Sequence, residues 1–256
     1  MNRLRQLFLN KKERILNVYY TAGFPNIDSI KSIAVSLQNS GADIIELGMP
    51  YSDPLADGET IQRSSESALA NGMNLDKIFG SIKELRESCH VPIILMGYYN
   101  QLLQFGEEDF FKECTECGVD GLIIPDLPID IFEANYKNRL EELDIKFSFL
   151  VTPQTSEERI VKASELSSAF LYVVSQSSIT GGKGHISDEQ KTYFKRVNQL
   201  KGNTPSLIGF GIHDKQTFDQ ACEYANGAII GSEFIRVLER SDGDVNVVEE
   251  FVRSII

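Results

Sequence analysis

A single (β/α)8 barrel is the fold class this sequence predicts, and three observations predict it. Eight short apolar runs recur along the 256 residues. Amphipathic helical patterns with capping signals separate them. No shift of composition or linker divides the chain, so residues 1–256 read as one domain, a length at which such barrels close as a single unit. A doubly wound sheet is the alternative reading of the same alternation.

The elements follow in order. Leu4, Leu7 and Phe8 share one helical face and predict an extra N-terminal helix covering one barrel end. The strand runs are 15–21, 43–48, 92–97, 121–125, 146–151, 170–175, 206–210 and 227–231. They are nearly continuous in apolar residues, as parallel strands buried on both faces require. Between them, Asp28 stands before Ile30, Ile33, Ala34 and Leu37, with Gly41 after, which reads as a capped helix. Ser156 precedes Ile160 and Ala163 in the same way, and Asp214 precedes Phe218, Ala221 and Cys222. Segments 234–238 and 245–255 complete the helical set.

Composition narrows the functional classes. A net charge of −12 lacks the basic patches that nucleic acid and anionic membranes attract. No run of about 18 apolar residues could span a bilayer, and the first residues, Met1-Asn-Arg-Leu-Arg-Gln, lack the apolar core of an export signal. Cys114-x-x-Cys117 has no second pair or nearby histidine to make a metal site. Both cysteines fall on the apolar face of a helical pattern. They and Cys89 and Cys222 therefore read as thiols of a reducing cytoplasm. His90, His185 and His213 are too scattered for a metal centre. His90 falls at the wrong barrel end, His213 reads as a loop residue, and no metal is expected.

The stretch Glu46-Leu-Gly-Met-Pro-Tyr-Ser-Asp-Pro-Leu-Ala-Asp57-Gly carries the chemistry. Glu46 sits inside the second apolar run, where burial raises a carboxyl's proton affinity. Asp53, Asp57 and Glu59 follow in a loop broken by Pro50, Pro54 and Gly58. A strand-end carboxylate trailed by a rigid acidic loop can present an acid/base pair. The bland readings are a structural carboxylate paired to the backbone or Tyr172 for Glu46, and an Asx-turn for Asp57. Asp53 reads equally as turn chemistry or as a partner contact. Tyr51, Leu55 and Met96 read as walls of an apolar pocket.

Glycines mark the far side of the same barrel face. Strand seven ends Ile208-Gly-Phe-Gly211, and strand eight ends Ile230-Gly231-Ser232, opening a short helix. Barrels often hold phosphate after these two strands, where glycine admits an anion and helix-start N–H groups favour it. After strand six, Thr180-Gly181-Gly182-Lys183-Gly184 fits a lid or an ordinary loop.

Together these motifs resemble the α subunit of tryptophan synthase over nearly the whole chain. The strongest match is the strand-two stretch from Ile45 through Glu46 and Asp57 to Thr60 and Gln62. Thr21-Ala-Gly23, Pro125-Asp126-Leu-Pro128, Leu171-Tyr172-Val-Val-Ser175, Gly209-Phe-Gly211 and Gly231-Ser232 support it. The resemblance implies a lyase that splits indole-3-glycerol phosphate into indole and glyceraldehyde 3-phosphate. It implies no cofactor of its own, pyridoxal phosphate belonging to a partner β subunit that receives the indole in an α2β2 assembly.

Position by position, the resemblance implies Glu46 as general acid/base and Asp57 as the second catalytic carboxylate. Tyr19 would lie beside the indole ring, and Tyr172 and Thr180 near substrate and lid. Gly181, Gly211, Gly231 and Ser232 would hold phosphate. Gln176 departs from the pattern, standing where many relatives carry Arg, and the lid is unusually rich in glycine. Two other readings keep the barrel: an allosteric binding partner with weak chemistry of its own, and a different phosphate-binding enzyme. The latter would want a strand lysine, and only Lys146 qualifies.

Overall fold

The computed structural model describes residues 1–54, 57–175, 186–209, 211–241 and 243–256. Among them nine parallel strands form one sheet: β1 (Ile15–Thr21), β2 (Ile44–Gly48), β3 (Ile93–Met96), β4 (Gly121–Ile123), β5 (Lys146–Phe147), β6 (Leu150–Val151), β7 (Leu171–Val174), β8 (Ser206–Gly209) and β9 (Gly227–Ile230). Their order is β5-β4-β3-β2-β1-β9-β8-β7-β6. The two ends of that order are β5 and β6, halves of one continuous segment, so the ring closes through the chain itself.

The expected fifth strand is thus split, and the hydrogen bonds show why. Ser148 N–H donates to Leu122 on the β4 side, while Phe149 C=O accepts from Tyr172 on β7. Phe149 N–H turns to the Ser167 hydroxyl at 3.0 Å instead of to a strand. The other seven expected runs coincide with strands to within one or two residues at either end.

Alternation along each strand separates two apolar layers. Ile15, Ile44, Ile94, Ile123, Tyr172, Leu207 and Ile229 fill the barrel interior. Leu16, Val18, Tyr20, Ile45, Leu47, Leu95 and Ile208 face outward, where the surrounding helices cover them. Both faces are buried, which explains the continuous apolar runs.

The N-terminal helix Arg3–Asn10 closes the barrel floor: Leu4 and Phe8 join the interior cluster, and Phe8 meets Phe170 with ring centroids 6.0 Å apart. Asn2 caps this helix and donates to the carbonyls of Asp120 at 2.9 Å and Asp144 at 2.7 Å. Asp120, almost wholly buried, accepts from Arg3 at 3.1 Å, Arg86 at 2.5 Å and the Ile93 N–H at 2.9 Å.

Capping differs in one place from the sequence reading. Ser156 and Asp214 accept from the first turns of their helices as expected. Asp28 makes no such bond; the Ser29 hydroxyl instead donates back to the Asn26 carbonyl at 2.6 Å. Gly41 ends that helix at φ +103°, a conformation glycine adopts without strain. Cys114 and Cys117 are buried on the helix Glu107–Cys117, and all four cysteines are free thiols. His90 is exposed. Among the described residues no helix is long and apolar enough to cross a membrane, and no cluster of three or more His, Cys, Asp or Glu could hold a metal.

Candidate active site

The C-terminal ends of the strands surround a cavity of about 360 Å³. Eight of the ten residues expected at the site line it: Tyr19, Glu46, Asp57, Met96, Tyr172, Gly211, Gly231 and Ser232. The other two, Thr180 and Gly181, lie outside the described residues, as do Gln176, the remainder of the glycine-rich stretch and Leu55. Tyr51 is a correction. It lines a neighbouring groove with Pro50 and Asn100, its ring stacked on Tyr98 with centroids 5.0 Å apart.

Strand register builds the floor. Tyr19 on β1 pairs with Glu46 on β2, which pairs in turn with Ile94 on β3, so all three occupy one level of the barrel. The strand period of two places Asn17 on the same inward face as Tyr19. Glu46 is 1% exposed. Its Oε2 accepts from Asn17 Nδ2 at 2.6 Å, and its Oε1 has no partner among the described residues. The pairing to backbone or to Tyr172 weighed from sequence is therefore replaced by an amide that sequence reasoning missed. A polar residue in an apolar strand, two positions before Tyr19, was the available signal.

Burial dominates the titration of Glu46. Desolvation pushes its pKa up to about 8, the Asn17 hydrogen bond opposes this, and the negative charge of Asp57 adds to it. Asp57 enters from the loop after β2. Desolvation also raises its proton affinity, while the hydroxyl of Tyr98, donated to Oδ2 at 2.9 Å, holds the rise back. The two carboxyls therefore differ: one is dry and held by a neutral amide, the other is wetter and held by a phenol. Asp57 N–H also bonds the Pro54 carbonyl at 3.1 Å, so turn geometry and a cavity-facing carboxylate coexist in one residue.

Two tyrosines bound the space above Glu46, each standing where a neighbouring strand has glycine. A Cβ on Gly48 would meet the Tyr19 hydroxyl at 2.1 Å, and one on Gly209 would meet that of Tyr172 at 2.4 Å. Across the cavity, Gly211 holds φ +79°, and Gly231 precedes the helix Ser232–Arg240. The first-turn N–H groups of a helix lack intrahelical acceptors and attract an anion. Glu233 sits in that first turn, but its charge is offset by Arg236 at 2.6 Å and Arg240 at 3.1 Å. Arg236 and His213 also line this rim. The loop reading of His213 missed this position, since nothing in the sequence says which way a residue after a strand faces.

The arrangement offers two unlike carboxyls on one side, an apolar middle from Met96, Ile61 and Ile229, and an anion cradle on the other. A model of the tryptophan synthase alpha chain family matches residues 6–254. The chain belongs to that family. It is 47% identical to the tryptophan synthase alpha chain of Christiangramia forsetii over 255 residues, covering 100% of this chain and 98% of the relative. It is 46% identical to that of Karelsulcia muelleri over the full length of both. Among solved structures, tryptophan synthase from M. tuberculosis in an aminoacrylate-bound form superposes with a TM-score of 0.86 at 27% identity, covering 100% of each chain. The tryptophan synthase A-subunit of Pyrococcus furiosus gives a TM-score of 0.87 at 31% identity, covering 96% of this chain and 98% of that one. A structure of the tryptophan synthase complex from Pyrococcus furiosus gives 0.86 at 30% identity, with the same coverage. The barrel expected from the sequence is the family's fold.

Proposed function

We propose that this chain is the α subunit of a tryptophan synthase and cleaves indole-3-glycerol phosphate to indole and glyceraldehyde 3-phosphate. The observation that carries the reading is the convergence of Glu46 and Asp57 on a cavity that Gly211, Gly231 and Ser232 also line. A flat apolar ring fits between, and the glycerol chain spans the distance to the anion cradle.

Glu46, protonated below pH of about 8, delivers its proton to indole C3. The ring becomes an indolenine cation whose N1–H turns acidic. Asp57, ionised, accepts a hydrogen bond from N1–H and offsets the charge. The Glu46 carboxylate then removes the proton from the hydroxyl beside the C3–C bond. The O–H electrons form the aldehyde, the C–C electrons return to the indole, and Glu46 regains its proton. Two carboxyls in unlike surroundings hold the two protonation states this sequence needs. Proton transfers alone break the bond, so the reading assigns the chain no resident cofactor. Pyridoxal phosphate belongs to a β subunit that takes up the indole in an α2β2 assembly, a partnership supported by the complex from Pyrococcus furiosus. The four free thiols suit a reducing cytoplasm.

The test is indole release from indole-3-glycerol phosphate by the purified chain, alone and with a β subunit. Glu46→Gln and Asp57→Asn are each expected to lower cleavage by about 10²–10⁴-fold or more while circular dichroism stays unchanged. Full activity in either variant removes that carboxyl from the mechanism.

A further inference from the structure

Asn17 lies beneath the cavity and is absent from its lining, yet it is the protein's grip on the residue that moves the proton. Its Nδ2 stands 2.6 Å from Glu46 Oε2, both groups being buried, and among the described residues neither Asn17 Oδ1 nor Glu46 Oε1 has a hydrogen-bond partner. An amide N–H can only donate, so Oε2 must act as acceptor in both protonation states of the carboxyl. A carbonyl oxygen accepts better than an acid O–H oxygen, so the proton of the neutral acid is favoured on Oε1, which no group among the described residues engages.

We propose that Asn17 is a positioning residue that fixes which oxygen of Glu46 carries the transferable proton and sets how readily that proton leaves. The proposal rests on the proton-transfer role given to Glu46 above. In the acid, Asn17 holds Oε2 as the carbonyl oxygen and presents Oε1–H for transfer. In the carboxylate, the same N–H stabilises the charge left behind, and Oε1 is ready to take the proton from the substrate hydroxyl. One fixed amide thereby serves both halves of the cycle without moving. Water cannot substitute easily, since Asn17 is 0% exposed and Glu46 1%.

The other groups facing Glu46 do not supply this function. Asp57 approaches from the loop after β2, and its negative charge opposes ionisation of Glu46. Tyr19 on β1 and Tyr172 on β7 share the cavity and are themselves buried, with their phenols held firmly protonated by desolvation. β3 contributes apolar Ile94 and Met96. The Arg236 guanidinium and the His213 ring sit at the anion rim with carboxylate partners of their own. Asn17 is the group whose hydrogen bond favours the Glu46 carboxylate.

The experiment is the pH profile of cleavage in Asn17→Leu, an apolar replacement of similar volume. The alkaline limb of kcat/KM is expected to move up by about one to two pH units, because the carboxylate has lost a charge-assisted hydrogen bond. kcat is expected to fall by about 10- to 100-fold, with KM nearly unchanged. In a Glu46→Gln background, adding Asn17→Leu should cost no further activity. An unmoved alkaline limb, or equal losses in both backgrounds, overturns the proposal and makes Asn17 a packing residue. A second measurement needs no variant at Asn17 and no turnover: the side-chain amide resonance of Asn17 in the native chain should titrate with the Glu46 carboxyl carbon at one shared midpoint. An amide signal that ignores that midpoint also overturns it. Absence of any Glu46-dependent cleavage would instead remove the lyase reading, leaving the amide titration to decide whether the pair is coupled.

Discussion

The Tyr98 hydroxyl donates to Asp57 Oδ2 at 2.9 Å, so the second carboxyl of the site is held by a residue of the segment after β3 and not by its own loop. That bond favours the ionised form of Asp57 against the desolvation that raises its pKa. Removing it in Tyr98→Phe should raise the Asp57 pKa further. Activity that requires ionised Asp57 is lost on the acid side, so the acid limb of kcat/KM should move up by about one pH unit. A pH–rate profile of the variant checks this, and an unmoved acid limb would separate Tyr98 from the titration.

Glu46 also links activity to stability. Its carboxyl titrates near 4.5 when exposed and near 8 in the folded chain, so between those values the folded state binds more protons than the unfolded. The stability that protonated Glu46 provides is complete below pH 4.5 and is lost as pH rises through 8. Glu46→Gln cannot ionise. It should therefore be more stable than the native chain at pH 9, on the order of a few kcal/mol, with the difference vanishing near pH 4. Urea denaturation at the two pH values measures it, and equal differences at both would show that Glu46 stays ionised when folded.

Gly48 and Gly209 are the footings of Tyr19 and Tyr172. Alanine at either position places a methyl within about 2.5 Å of a buried tyrosine, which has to swing toward the cavity. Gly48→Ala and Gly209→Ala should each lower kcat/KM by at least about tenfold. In Gly48→Ala, adding Tyr19→Phe, which removes the hydroxyl nearest the new methyl, should restore part of that loss. Steady-state kinetics of the single and double variants is the measurement, and failure of this rescue would place the defect in the strand backbone.

Asp120 supports the opposite end of the barrel. It accepts from Arg86, Arg3 and the Ile93 N–H while almost wholly buried. Asp120→Leu leaves the mostly buried Arg86 without its carboxylate and should cost about 3–5 kcal/mol. The melting temperature should fall by several degrees, and the alkaline limb of any remaining activity should stay in place, because Asp120 is not among the groups that shift the Glu46 carboxyl. A melt indistinguishable from the native one would show that water replaces the ion pair.

Sequence reading reached the ring and most of the cavity because both depend on local signals. The apolar runs mark strands, and their alternation decides that Tyr19 and Glu46 face inward together. Gly231-Ser232 announces a strand end passing into a helix. What stayed hidden depends on contacts between distant segments. The amide beneath Glu46 comes from a strand residue 29 positions earlier, and the phenol on Asp57 from a helix cap 41 positions later. Tyr51 was misplaced for the same reason: the stacking against Tyr98 that turns it outward is invisible in its own loop. The break in the fifth strand arises from two different neighbours competing for one short segment, which no property of residues 146–151 alone reveals.

The floor helix carries a consequence for the order in which this molecule takes shape. Asn2, near the very start of the chain, is anchored by carbonyls 118 and 142 residues away, and Asn226 reaches back to Lys12 across 214. During synthesis this helix lacks the anchoring carbonyls of Asp120 and Asp144 until both residues have been made. Loop closure over such spans is slow, so this helix is among the last elements to be secured. Until then its apolar stripe is exposed to whatever else the cell offers.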